Sequence, residues 1–92
     1  MSRLIVRIKV LPEDVTTDLD KLSAEINKSL PDGITIKAVR KDPIAFGLNA
    51  LLIDFAMEDK EGQMDKLEDG LKNKEGVSEI QIVNLSRESA KL

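Results

Sequence analysis

The apolar period of this chain switches between about two and about 3.6 residues in a fixed order, and that order constrains its fold more than any other feature. Residues 3–11 alternate, with Leu4, Val6, Ile8 and Val10 on one face and Arg7 and Lys9 on the other, the pattern of a half-buried strand. Pro12 ends that pattern, since proline donates no ladder hydrogen bond. Leu19, Leu22, Ile26 and Leu30 then recur at helical spacing, with Thr17 or Asp18 placed to cap the helix. Pro31-Asp32-Gly33 reads as a turn, because proline fixes φ and glycine tolerates positive φ.

Alternation returns over residues 34–41, where Ile34, Ile36 and Ala38 point one way and Thr35, Lys37 and Arg40 belong to the polar side. Asp42-Pro43-Ile44-Ala45-Phe46-Gly47 interrupts it and is expected to be a loop. A third strand is expected over residues 48–57, with Leu51, Ile53, Phe55 and Met57 inward. A charged turn at residues 58–62 leads to a second helix that carries Met64, Leu67 and Leu71 inward. A last strand over residues 77–85 is followed by a polar tail, Ser86 to Leu92. The order is βαββαβ. Its halves echo each other: Leu19, Asp20-Lys21-Leu22 and Ile26 reappear as Met64, Asp65-Lys66-Leu67 and Leu71, and Gly33 has a counterpart in Gly76. A repeated split βαβ unit points to the ferredoxin-like α+β sandwich, a four-stranded antiparallel sheet with two helices on one face and the first and third strands central.

A chain of 92 residues with 41% hydrophobic and 34% charged residues fits one globular domain with a modest core. Residues 1–92 are accordingly expected to form a single domain. Its opening residues move straight into strand-like sequence with no cleavable signal pattern, and no apolar run approaches a membrane span, so a cytoplasmic protein is expected. Cysteine and histidine are both absent. That removes disulfides, thiolate and imidazole metal sites, thiol catalysis and the commonest general base. A site of Asp, Glu, Lys and Ser alone stays open, but nothing in the sequence clusters that way, and neither an enzyme nor a cofactor is expected. The net charge of −3 argues against a surface built to neutralise phosphates. The open sheet face, expected to carry Ile5, Arg7, Lys9, Thr35, Lys37, Leu52, Asp54 and Val83, has none of the aromatics on which an RNA-binding sheet stacks bases. An ordinary solvated face is the plainer reading.

Two places remain. Phe46, beside Gly47 at the mouth of a strand, is either a lid folded back on the core or an anchor for a partner's pocket. The tail is either a frayed terminus or a carrier that delivers a basic residue to an anionic site.

These stretches resemble the elongation factor 1-beta family, in its short archaeal form, over essentially the whole chain. The resemblance rests on Val6-Arg7-Ile8-Lys9-Val10-Leu11-Pro12 before the acidic helix start at Asp18-Leu19, on Asp42-Pro43-Ile44-Ala45-Phe46-Gly47-Leu48 with Ala50-Leu51, and on Glu75-Gly76-Val77. It implies a guanine-nucleotide exchange factor that releases GDP from elongation factor 1-alpha so that GTP can load, with no cofactor, no direct nucleic-acid contact and no membrane. It also implies a partner-binding stretch of Pro43, Ile44, Phe46, Gly47 and Leu48, with Phe46 docking into the partner's second domain. A basic residue near the C-terminus is implied to reach the partner's magnesium and phosphate region. Two residues match that role, Arg87 and Lys91, and Arg87 is preferred because it sits nearer the strand end and needs less ordering. A small-ligand regulatory module and an RNA-binding domain on the same scaffold are the competing readings.

Overall fold

The structure, a computed structural model, describes residues 3–88. Among them the chain runs β1 (Arg3–Pro12), α1 (Leu19–Lys28), β2 (Ile34–Ala45), β3 (Leu48–Glu58), α2 (Gln63–Lys72) and β4 (Val77–Glu88). The strands form one antiparallel sheet in the order β2-β3-β1-β4. The expected ferredoxin-like sandwich is therefore present, with β1 and β3 central. Both helices have ten residues, and the glycines that echo each other after them, Gly33 and Gly76, both have positive φ.

The alternation does its work in the central strands. Val6, Ile8 and Val10 from β1 and Leu51, Ile53, Phe55 and Met57 from β3 are buried under Leu22 and Ile26 of α1 and Leu67 and Leu71 of α2. Asp18 caps α1, its carboxylate accepting the Lys21 amide at 3.2 Å, and so satisfies one of the donors a helix start leaves unpaired. Helix α1 stops at Lys28, so Leu30 packs on the core from beyond the helix.

Three expectations are corrected. First, β2 does not end near residue 41. It continues to Ala45, because Asp42 and Pro43 still pair with Ala50 and Asn49, and the expected loop shrinks to a two-residue turn at Phe46-Gly47. Pro43 is accommodated because β2 is an edge strand. Second, the register of β2 shifts between Ile36 and Ala38. The bulge at Lys37 reverses the parity that follows it, since one extra residue flips every later side chain. Ala38 and Arg40 thus lie opposite Asp54 and Leu52 on the open face, whereas Ala38 was expected inward. Third, β4 runs on to Glu88, with Ser86 and Arg87 paired to Ile5 and Leu4. The polar tail was expected to begin at Ser86. Val83 is the extra residue of a second bulge, where β4 shifts register opposite Arg7 and Ile8.

A cross-strand ion pair lies on the open face. Arg7 donates to both carboxylate oxygens of its cross-strand neighbour Asp54, at 2.8 and 3.2 Å. That forked contact holds the Asp54 carboxyl below the ordinary carboxylate range, with the Arg7 hydrogen bond the largest cause and partial burial opposing it. Phe55 is fully buried in the core and Phe46 lies at the hairpin turn, so no aromatic reaches this face.

Candidate functional site

The five predicted site residues on the β2–β3 hairpin are brought together, and Phe46 is presented at its tip. Ala45 pairs with Leu48, and the two residues between them both have positive φ, 52° for Phe46 and 79° for Gly47. Positive φ at both central positions belongs to the type I′ hairpin turn, which matches the twist of the flanking strands and is normally built from Asn, Asp and Gly. Gly47 is there for its backbone, since a Cβ at that position would meet nothing within 4 Å.

Phe46 is the exception. It is the one non-glycine residue with positive φ among the described residues, and its side chain is 101% exposed. A bulky side chain in this conformation costs about 1–2 kcal/mol, and the exposed ring recovers none of that by burial. Such outliers cluster where a residue acts on something outside its own fold. The reading of Phe46 as a lid on the core is excluded.

The hairpin that carries the ring is braced on both faces. Lys41 pairs with Asp20 of α1 at 3.2 Å, and Lys9 reaches across β3 to Asp42 at 3.4 Å. Pro43 and Ile44 are exposed, and a second register shift leaves Ile44 outside the ladder. Leu48 is half-buried at the far side of the turn. Beside it, a groove of about 250 Å³ separates the hairpin from the segment between β1 and α1, with Val15 on its rim and Asp14, Asp18 and Asp20 in its wall. Asp14 is held below its usual carboxyl range, chiefly by the Thr16 hydroxyl at 2.6 Å and then by the Thr16 amide at 2.8 Å.

Arg87 lies at the opposite end of the sheet. It pairs with Leu4, which pairs in turn with Met57 of β3. From Leu48 to Met57 is nine strand steps, or about 30 Å at ~3.3 Å each. The two candidate contacts are thus not parts of one pocket. The exposed Arg87 side chain reaches past β1, and its Nη2 meets Asp59 Oδ2 at 3.0 Å in the β3–α2 turn. Asp59 was not singled out by sequence. It sits in the run Glu58-Asp59-Lys60-Glu61, where no spacing distinguishes one acid from the next. Lys91 falls outside the described residues. Among the described residues no group of three acidic side chains is arranged to hold a metal ion, and no helix is long and apolar enough to cross a membrane.

The fold and its two separated termini of interest define a ferredoxin-like domain that presents a strained aromatic at one end and an ion-paired cation at the other. The family model described as the EF-1 guanine nucleotide exchange domain matches residues 5–87, and the chain belongs to that family. Among curated proteins, it is 44% identical over 88 residues to elongation factor 1-beta of Staphylothermus marinus, covering 95% of this chain and 98% of that one. It is 46% identical over 88 residues to elongation factor 1-beta of Aeropyrum pernix, with the same coverage. Against elongation factor 1-beta of Methanosarcina barkeri the identity is 34% over 88 residues, covering 95% and 99%.

Proposed function

We propose that this exchange domain acts on the GTPase elongation factor 1-alpha by holding it at two separated points, Phe46 and Arg87. The observation that carries the reading is Phe46 itself: a fully exposed ring on a left-handed backbone, which makes physical sense as an anchor for an apolar pocket. Pro43 and Ile44 flank the pocket contact, and Gly47 and Leu48 fix the turn that aims the ring. Arg87 then addresses the magnesium and phosphate region of the same partner, about 30 Å away along the sheet. Where Lys91 contributes, it does so as a second cation to the same region.

Such a mechanism needs no covalent step. A factor that binds the nucleotide-free partner more tightly than the nucleotide-bound one must weaken nucleotide binding by the same ratio. A guanidinium brought near Mg²⁺ disfavours the ion, and loss of Mg²⁺ leaves the GDP phosphates without their neutralising charge. The chain's own residues supply shape and charge only, so no cofactor and no catalytic base are required. The work belongs in the cytoplasm, at neither a membrane nor a nucleic-acid surface. The bare open face favours this over an RNA-binding reading.

The test is release of fluorescent GDP from elongation factor 1-alpha of the same organism. Acceleration at substoichiometric amounts of this protein is the expected result. Absence of acceleration with a nucleotide-competent partner would overturn the reading.

A further inference from the structure

Exposed apolar side chains concentrate in one stretch of β4. Ile82, Val83 and Leu85 are 47%, 51% and 55% exposed, and they run directly into Arg87, which is itself 63% exposed. Register explains why Ile82, Leu85 and Arg87 share a side. Ile82, Leu85 and Arg87 pair with Ile8, Val6 and Leu4 of β1, and Val6 and Ile8 point into the helical layer. The β4 residues therefore face the helical side too, yet the helices do not cover them. Ten-residue α2 spans about 15 Å, against about 40 Å for twelve-residue β4. It shelters Val77 and Ile80 at the start of the strand and leaves the later half bare.

We propose that this strip, Ile82 and Leu85 continuing to Arg87, is a docking surface for the same GTPase, next to its phosphate region. The proposal rests on the exchange reading above and adds a contact to it. Area supports it. A buried aromatic supplies only about 150–250 Å², whereas a specific interface takes about 800 Å² from each partner. Phe46 and its neighbours Pro43 and Ile44, together with one arginine, still fall short, and the strip is the apolar surface continuous with Arg87. Charge supports it as well: the apolar residues end in a cation, which suits a surface bordering an anionic phosphate site. A second copy of this chain fits less well. Edge-to-edge pairing needs a flat strand, and the bulge at Val83 kinks this edge at its middle.

The experiment compares GDP release by the wild type, by Ile82→Thr/Leu85→Thr, and by Phe46→Ala, with sedimentation of each chain alone. Threonine keeps the strand preference of the exposed positions, and an unchanged melting curve confirms an intact fold. The double variant is expected to need roughly tenfold more protein for half-maximal exchange, with the maximal rate within about twofold of wild type. An unchanged half-maximal concentration, while Phe46→Ala raises its own, would overturn the strip and leave the exchange reading intact. A wild-type dimer that the double variant dissociates without change in exchange would also overturn it, in favour of self-association. If the wild type releases no GDP, the exchange reading itself falls and takes the strip with it.

Discussion

The two ends of the sheet present their side chains by opposite means. At the hairpin, the backbone is unusual and the side chain is free: two successive positive φ angles hold Phe46 outward, and its ring touches nothing in its own fold. At the other end, the backbone is an ordinary strand rung and the side chain is restrained, since Arg87 is tied to Asp59 at 3.0 Å. The difference suits the two kinds of contact. A hydrophobic anchor gains from being aimed in advance, because every rotor frozen before docking is one fewer to freeze on docking. A cation that must act on a partner's charges gains from a counter-ion it can surrender, because an exposed pair is cheap to open.

The largest effect is expected from removing the anchor. Phe46→Ala should raise the half-maximal concentration for exchange about 30-fold or more, the loss of a central aromatic hot spot being about 2 kcal/mol or more. Phe46→Asn sharpens the comparison. Asparagine visits the left-handed region readily, so this variant should unfold at higher denaturant than wild type while exchanging as poorly as Phe46→Ala. If Phe46→Asn is no more stable than wild type, the backbone strain assigned to Phe46 is wrong. At the other end, Arg87→Ala should act on a different parameter: the maximal exchange rate falls about tenfold, an expected loss of ~1.4 kcal/mol, with a smaller change in half-maximal concentration. Steady-state GDP release over a range of factor concentrations separates the two. Matching changes in both variants would erase the distinction between anchor and cation.

This contrast also explains what could be read from sequence. The sheet order, the buried face of β1 and β3 and the helical stripes follow from period alone, because each side of a central strand is committed to one environment. The bulges at Lys37 and Val83 leave no such trace. An extra residue in an edge strand changes parity without changing composition, so Ala38 was assigned to the wrong face. The hairpin was hidden for a different reason. A two-residue turn is recognised by Asn-Gly or Asp-Gly, and Phe-Gly mimics an apolar loop. The residue that makes the turn hard to recognise is the same one that makes it a candidate site. The role proposed for Phe46 rests on the family motif, and its strain is visible only in the structure. Asp59 was out of reach altogether, since its meeting with Arg87 depends on 27 intervening residues folding back along β4.

A smaller effect tests whether the hairpin is aimed by its backbone. Gly47→Ala adds a methyl group with open space around it, so any cost is conformational. At φ 79° that cost is about 1 kcal/mol. Stability should drop by that amount in urea unfolding, and the half-maximal concentration for exchange should rise modestly as the ring loses its fixed direction. An unchanged exchange curve with reduced stability would mean that Phe46 finds its pocket without being pre-aimed.

The smallest effect concerns the restraint on Arg87. Asp59→Asn keeps the shape of the side chain and removes its charge. If the pair must open before the guanidinium can act on the partner's magnesium, this variant has one interaction fewer to break. An exposed ion pair contributes no more than about 1 kcal/mol, so the maximal exchange rate should rise by at most about fivefold. The same substitution in an Arg87→Ala background should then do nothing, because the pair it relaxes is already gone. A fall in rate would give Asp59 the opposite role, holding Arg87 in its working position. The two ends of the sheet would then share one strategy, with both side chains aimed before the partner arrives.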